Sequence, residues 1–213
     1  MNALMARGWG GATLDLVMFQ VRIHGRGGQG AVTAAEMLSV AAFNEGRYAQ
    51  AFPSFGSERA GAPVVAFCRI DDHEIRLREP VIEPDALIVL DATLVHQVDL
   101  FAGLRPEGYI LINSARSFDE LGLGKLADRF RHERLLTVPA TELALRHVGV
   151  PIPNTVLLGG LCAVTGIISL ESLESAVRAR FARERADANI AAAREACDWV
   201  TTEIRGLAHA QAD

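Results

Sequence analysis

Short runs of apolar residues alternate with longer segments of helical periodicity along most of the chain. The apolar runs predict strands at residues 19–24, 48–52, 64–70, 87–90, 109–112 and 135–138. Two of these runs, 87–90 and 109–112, are apolar at every position, which is typical of parallel strands that are buried on both faces. The pattern therefore predicts an α/β fold, Rossmann-like, with a mostly parallel sheet and helices on both faces.

The C-terminal third of the chain predicts a helical region. Its helices are expected at residues 155–168, 170–181 and about 188–205. Asn154 is predicted to be the N-cap of the first of these helices, and Gly206 is a natural stop for the last one. Gly159 and Gly160 weaken the first of these helices locally, which usually means that another backbone packs close to it.

We predict one domain, since 213 residues show no internal repeat and no low-complexity linker. Residues 1–17 are expected to be a loosely ordered N-terminal extension, residues 18–206 the domain, and residues 207–213 a tail. The start of the chain has no continuous apolar stretch of the kind found in signal peptides.

Composition argues against several classes of partner. The formal net charge of −5 argues against nucleic acid or an anionic membrane as the main partner. Residues 147–170 carry no charged side chain, but Pro151 and Pro153 interrupt them and the remaining helix is too short to span a membrane. We therefore expect a cytoplasmic protein.

The cysteine and histidine patterns predict no metal site. Cys68, Cys162 and Cys197 are far apart in the sequence, whereas an iron–sulfur cluster needs about four closely spaced thiolates. Buried thiols in a reducing compartment are the favoured interpretation. The six histidines fall in no metal-binding spacing, and no residue is assigned a catalytic role.

A glycine-rich turn follows the first predicted strand. It consists of Gly25, Arg26, Gly27, Gly28, Gln29 and Gly30. This G-x-G-x-x-G spacing between strand and helix is typical of dinucleotide-binding sites. Such sites also carry an acid about 20 residues later, and residues 48–52 (YAQAF) have none. Three interpretations of the turn therefore stay open. It lets the strand and the helix pack closely, it binds another anion, or it contacts a partner's backbone.

An unusual loop follows the second predicted strand. Residues 52–63 read FPSFGSERAGAP and combine aromatic residues, glycines and prolines with an adjacent acid–base pair. Loops of this composition often carry function, although a solvated surface turn is the alternative.

Together, the two motifs resemble the gamma subunit of 2-oxoacid:acceptor oxidoreductases, the thiamine diphosphate-dependent family of pyruvate, 2-oxoglutarate, indolepyruvate and phenylglyoxylate enzymes. In that family the second motif reads approximately F-P-S-Y-G-x-E-x-R-G-G-x. The chain matches it directly at Phe52, Pro53, Ser54, Gly56 and Glu58. Phe55 replaces the usual tyrosine, and Arg59 matches less closely because of the shorter spelling SERAGAP.

The resemblance implies a role inside a larger enzyme that decarboxylates a 2-oxoacid oxidatively to an acyl-CoA. In such enzymes partner subunits hold thiamine diphosphate, magnesium and iron–sulfur clusters, and electrons pass to ferredoxin or NAD. The implied partners are thiamine-binding alpha/beta-type subunits and a ferredoxin-like delta-type subunit. The chain alone is expected to bind no cofactor and to be inactive.

Each of the two motifs is assigned a role. The resemblance implies that the glycine-rich turn, residues 25–30, contacts an anion or coenzyme A. The composition of the loop itself predicts a subunit interface, because aromatic anchors of this kind dominate interfaces; its residues are Phe52, Pro53, Ser54, Phe55, Gly56, Glu58 and Arg59. The alternatives are an autonomous Rossmann-type NAD-dependent dehydrogenase and a purely structural assembly subunit.

Overall fold

A six-stranded sheet forms the centre of the protein in the computed structural model, which describes residues 18–54 and 61–210. The strands are β1 (Phe19–Arg26), β2 (Tyr48–Pro53), β3 (Pro63–Asp71), β4 (Ala86–Val89), β5 (Tyr109–Asn113) and β6 (Leu135–Val138). The helices are α1 (Ala31–Asn44), α2 (Gly124–Ala127), α3 (Ala140–Val148), α4 (Asn154–Thr165), α5 (Leu170–Arg180) and α6 (Arg183–Ala210). The predicted extension 1–17 and the predicted interface residues Phe55, Gly56, Glu58 and Arg59 lie outside the described residues.

The sheet is mixed, with the strand order β2-β3-β1-β4-β5-β6. Strands β1, β4, β5 and β6 pair in parallel, whereas β3 is antiparallel to both of its neighbours, β1 and β2. Strand β2 therefore runs in the same direction as β1, so β3 is the single reversed strand among those described. The predicted α/β fold with a mostly parallel sheet is confirmed.

The two faces of the sheet are covered differently. On one face, α1 and the C-terminal helices pack against buried residues such as Val21 and Ile23 of β1. On the other face, β4 and β5 are covered by irregular chain, a short 3-10 helix at Ala92–His96 and α2, which contribute Leu94 and Leu100. Because side chains alternate along a strand, Arg22 and His24 of β1 lie on this second face.

The helical C-terminal third is confirmed, and α4 lies at its centre. Strands in the middle of the sheet and helix α6 both pack against α4, whose first nine residues are all buried. Gly159 allows this contact: a Cβ atom built on it would lie 2.1 Å from the carbonyl oxygen of Ala193 in α6. The prediction that another backbone packs close to the Gly159–Gly160 pair is therefore confirmed.

Some local predictions were wrong. Helix α6 continues through Gly206 to Ala210, although Gly206 was expected to end it. Asn154 is the first residue of α4 rather than its N-cap, which is Pro153. The segment Ala140–Val148 forms a helix, α3, that the sequence analysis did not predict.

Two glycines give a matched test of this packing. Replacing Gly159 with alanine should lower the free energy of unfolding by about 1–3 kcal/mol, since the new methyl group collides with the α6 backbone. Replacing Gly206 with alanine meets no atom within 4 Å and should raise it by about 0.5–1 kcal/mol, because alanine favours a helix. Urea unfolding measures both, and equal effects would contradict the close α4–α6 approach.

Candidate functional site

The two sequence motifs meet at the carboxyl edge of the sheet. The last pair between β1 and β3 joins Arg26 to Pro63, so the end of the loop reaches the start of the glycine-rich turn. There, Gly27 N–H donates to the Ala62 carbonyl at 2.9 Å, and Gly61 N–H donates to the Gly27 carbonyl at 3.2 Å. The described end of the loop is thus joined directly to the turn.

At two positions of the glycine-rich turn, the backbone has a conformation that only glycine adopts readily. Gly28 has a φ of 98° and Gly30 a φ of 80°, both in the left-handed region. A Cβ atom on Gly30 would also lie 2.4 Å from Nδ2 of Asn154, so any side chain there would displace the start of α4. The turn therefore packs closely against the start of α4, and it also leads directly into α1.

Arg26 is held by a polar network rather than pointing freely into solvent. Its Nε donates to Oδ2 of Asp91 at 3.0 Å, and its Nη2 donates to Thr93 and Gln97 at 2.8 Å each. Gln29 joins the same network, because its Nε2 also donates to Asp91 Oδ2 at 3.0 Å. Burial would raise the pKa of Asp91, but hydrogen bonds from Thr93 and Gln29 and the charge of Arg26 outweigh it and lower the pKa.

This network changes the interpretation of Arg26. Its charge is paired with Asp91, so attraction of an anion to the turn depends on the start of α1 instead. No side chain among the described residues caps α1, and the first backbone N–H groups of a helix carry partial positive charge. A surface depression of about 290 Å³ lies along this helix start, between Gly27 and Val64. Anion contact by the turn stays a prediction.

Strand order gives a further argument against a dinucleotide site. In the dinucleotide-binding fold, the acid that holds the ribose ends a strand parallel to β1 and next to it. Here the antiparallel strand β3 occupies that place and separates β1 from β2. Neither the residues nor the topology therefore supply a ribose-binding acid.

The predicted interface begins on the face of β2 and β3 that lies opposite to α1. Phe52 of β2 and Phe67 of β3 pack with ring centroids 5.2 Å apart, and the guanidinium of Arg69 lies 5.1 Å from the Phe52 ring centroid. Pro53 and Ser54 continue this surface, and Ser54 N–H donates to the Val65 carbonyl at 2.8 Å. Helix α1 packs against β2 and β3 on their other face, which carries Ala66 and Cys68.

Beside this surface lies a cavity of about 300 Å³ whose lining includes Arg22, His24 and Ser54. Arg22 is 92% buried, and it holds a segment of the chain by hydrogen bonds. Its Nη2 donates to the carbonyls of Leu100 and Ala102 at 2.7 Å each. Burial lowers the pKa of Arg22, and the nearby carboxylate of Asp99 opposes that shift. The buried cation thus fixes the segment that forms one wall of the cavity.

His24 is also buried, and its Nε2 has no hydrogen-bond partner among the residues that the structure describes. Burial lowers its pKa to about 4, and the positive charge of Arg22 contributes. The imidazole is therefore neutral at pH 7. The sequence analysis gave this histidine no role, because an isolated histidine on a strand carries no functional signal.

The thiols do not fit an iron–sulfur cluster. Cys68 and Cys162 are buried, and burial raises the pKa of both, to about 12 for Cys162. A cluster needs about four closely spaced thiolates, whereas the sequence has three cysteines that lie far apart along the chain. Within residues 18–54 and 61–210 there is also no group of three or more His, Cys, Asp or Glu side chains placed to hold a metal ion.

Comparison with known proteins identifies the family. The model of the pyruvate ferredoxin/flavodoxin oxidoreductase family matches residues 20–199, which include both motifs. The chain belongs to this family. The resemblance to the gamma subunit of 2-oxoacid:acceptor oxidoreductases is therefore confirmed, and the interpretation as an autonomous NAD-dependent dehydrogenase is not supported.

Relatives in this oxidoreductase family align with nearly the whole chain. The common subunit gamma of the pyruvate/ketoisovalerate oxidoreductases of Pyrococcus furiosus is 49% identical over 187 residues, covering 88% of this chain and 98% of the relative. The pyruvate synthase subunit PorC of Methanosarcina barkeri is 52% identical over 162 residues, covering 76% and 86%. The crystal structure of the pyruvate oxidoreductase subunit PORC of Thermotoga maritima is 38% identical with a TM-score of 0.72, covering 85% and 96%.

In the described part of the chain, no helix is both long enough and apolar enough to cross a bilayer. The uncharged stretch that includes α4 is instead a core helix.

The buried imidazole predicts how stability depends on pH. An unfolded histidine takes up a proton near pH 6.5, whereas His24 in the folded protein does so only near pH 4. As the pH falls from about 6.5 to about 4, His24 should lower the free energy of unfolding by about 1.4 kcal/mol per pH unit. Above about pH 6.5, His24 should have no effect on the pH dependence of stability. The variant His24→Gln should lose this part of the slope in denaturant titrations. Parallel curves for variant and wild type would show that His24 titrates normally.

Proposed function

We propose that this chain is the gamma-type subunit of a multisubunit enzyme that converts a 2-oxoacid and coenzyme A into an acyl-CoA and carbon dioxide. Electrons pass through iron–sulfur clusters to ferredoxin or NAD. Membership of the family supports this proposal, as does the alignment with nearly the full length of gamma-type relatives. The observation that carries it is the junction of the two motifs at Gly27 and Gly61.

In this proposal, other subunits hold the reactive groups. Thiamine-binding alpha/beta-type subunits carry thiamine diphosphate and magnesium, and a ferredoxin-like delta-type subunit carries clusters. Thiamine diphosphate supplies the carbanion chemistry that decarboxylation of a 2-oxoacid requires. The three scattered cysteines of this chain, fewer than a cluster needs, support the assignment of the clusters to another subunit.

The chain's own contribution is to bind and to orient. The start of α1 attracts the anionic part of coenzyme A, because its N–H groups are uncapped. The loop at residues 52–59 packs against a partner subunit, with Phe52 as an aromatic anchor. Since the loop end and the turn are hydrogen-bonded to each other, one surface faces both the partner and the path of coenzyme A.

Reconstitution of the complex tests the proposal. The purified chain should be colourless and should not oxidise any 2-oxoacid, because it lacks ligands for clusters and thiamine diphosphate. Co-expressed with thiamine-binding and ferredoxin-like subunits, it should support reduction of an acceptor that depends on both coenzyme A and a 2-oxoacid. Pyruvate, 2-oxoisovalerate and 2-oxoglutarate are the substrates to compare. Full activity of the other subunits without this chain, or oxidation by this chain alone, would contradict the proposal.

The interface can be tested in the same complex. The double variant Phe55→Ala, Glu58→Ala should weaken assembly or lower turnover, since it removes an aromatic anchor and a charged partner from the predicted contact. The variant Phe43→Ala is a matched control, because Phe43 is a strongly exposed phenylalanine on α1, away from the loop. Size-exclusion chromatography and turnover are the measurements. If the double variant behaves like the control, the loop is a solvated turn and the interface assignment is wrong.

A further inference from the structure

The cavity beside Phe67 and Ser54 contains two buried nitrogen atoms that have no hydrogen-bond partner. Its volume is about 300 Å³, and its polar lining comes from Arg22, His24, Ser54 and Asp99. Nε of Arg22 and Nε2 of His24 are both buried and meet no partner in the part of the chain that the structure describes. Because most buried polar atoms in folded proteins are paired, two unpaired nitrogens in one cavity indicate a partner from outside the chain.

Arg22 also has no counter-ion. Its two terminal nitrogens donate to the main-chain carbonyls of Val81, Ile82, Leu100 and Ala102. It forms no ion pair with a residue that the structure describes, although the charge of Asp99 acts on it from a distance. Carbonyls satisfy N–H groups but do not neutralise a charge, and an unpaired buried charge is costly. An anion against Nε would pair the last N–H group and also neutralise the guanidinium.

The same face of the sheet carries a second buried guanidinium, that of Arg69 on β3. Arg69 is 98% buried, donates to Gln20 and to the Glu79 carbonyl, and has no partner for Nη1 among the described residues. The carboxylates whose charges act on these two arginines belong to Glu79 and Asp99, which are exposed, so water weakens their effect. This face of β1 and β3 therefore offers buried positive charge to an acidic partner.

The position of the cavity favours a side chain of another subunit over a free ligand. Ser54 is exposed, lines the cavity and belongs to the predicted interface together with Phe52 and Pro53. A subunit that packs on these residues would cover the mouth of the cavity. The volume is at the lower end of the range of small-molecule sites, about 300–1,000 Å³. Phe67 and Val81 give the cavity apolar walls that suit the methylene groups of a side chain.

We propose that this cavity receives the carboxylate of an aspartate or glutamate side chain from a partner subunit of the complex. One carboxylate oxygen accepts from Nε–H of Arg22, and the other accepts from His24 in the tautomer that carries a hydrogen on Nε2. The inference rests on the proposed function, because its occupant belongs to the same complex. It adds a buried charged contact to the aromatic contact of the loop, and contacts of this kind select the correct partner.

Two substitutions of His24 that match in size and differ in charge test the proposal in the co-expressed complex. His24→Gln keeps an N–H group in the cavity, whereas His24→Glu places a carboxylate beside Arg22 and repels another. The complex with His24→Glu should dissociate at a concentration about tenfold higher or more than the complex with His24→Gln. Dilution of each complex, followed by mass photometry, measures this difference.

Thermal unfolding of the isolated chains gives a second readout, which a merely structural role would not reproduce. The His24→Glu chain should unfold at the same temperature as the His24→Gln chain or at a higher one, because its own carboxylate neutralises Arg22. Weaker assembly of a chain that has lost no stability identifies competition for the cavity. Lower stability of the His24→Glu chain together with unchanged assembly would contradict the proposal.

Two further variants complete the test. Thr202→Glu adds the same charge at an exposed position of α6, which packs on the other face of the sheet. Its complex should dissociate within about twofold of the wild-type concentration, since screened charge at a distance has little effect. His24→Leu removes the N–H group and adds no charge, so it serves if the His24→Glu chain does not fold. It should weaken assembly about tenfold relative to His24→Gln, because it leaves the carboxylate without one donor.

The outcomes separate this assignment from the proposed function. If the wild-type chain does not assemble with thiamine-binding and ferredoxin-like subunits, both fail. If it assembles and the Gln, Glu and Leu variants at position 24 assemble equally, only the assignment of the cavity is overturned. Titration of the isolated chain with sodium acetate tests for a free carboxylate as the occupant. Acetate binding that His24→Leu abolishes, together with equal assembly of the variants, would assign the cavity to a free ligand instead.

Discussion

The antiparallel pairing of β3 with β1 is the constraint on which the arrangement of the site depends. It runs along the whole of β1, from Phe19 opposite Ile70 to Arg26 opposite Pro63. Since β3 begins where β1 ends, the loop that precedes β3 must lie against the turn that follows β1. The backbone bonds between Gly27 and the pair Gly61–Ala62 continue the same ladder past the sheet edge. One strand pairing thus places both motifs on one surface and also removes the position of a ribose-binding acid.

The arginines around this edge of the sheet lie in three different environments and therefore have different roles. Arg26 is compensated by Asp91, so it orders the turn and adds little net potential. Arg22 is buried and bound to main-chain carbonyls, so it organises the wall of the cavity beside Phe67 and Ser54. Arg180 and Arg185 are exposed near the glycine-rich turn and form no ion pair with any residue that the structure describes. A count of arginines in the sequence does not separate these roles.

Local signals in the sequence were sufficient to predict much of the fold. The apolar runs located the strands, and Gly159–Gly160 indicated a close helix contact that the Ala193 backbone provides. Helix α3 was missed although Pro139 and Gly149 mark its two ends, because the segment is short and its start is fixed by a distant residue: Thr141 N–H donates to Asn113 at the end of β5. Gly206 failed as a stop signal because glycine in an exposed helix costs only about 1 kcal/mol, less than the packing of the rest of α6 contributes.

The sequence by itself determined the family and the place of the two motifs at strand ends. Strand periodicity, glycine spacing and the order of the motifs are local properties, so they can be read without knowing which residues are in contact. Only the tertiary structure decided the direction of β3, the pairing of Arg26 with Asp91, the protonation of His24 and the meeting of the α5–α6 junction with the glycine-rich turn. Each of these depends on residues distant in sequence, such as Gly30 and Asn189, being brought together by packing. Burial and ion pairing are set by that proximity, and a linear pattern does not contain it.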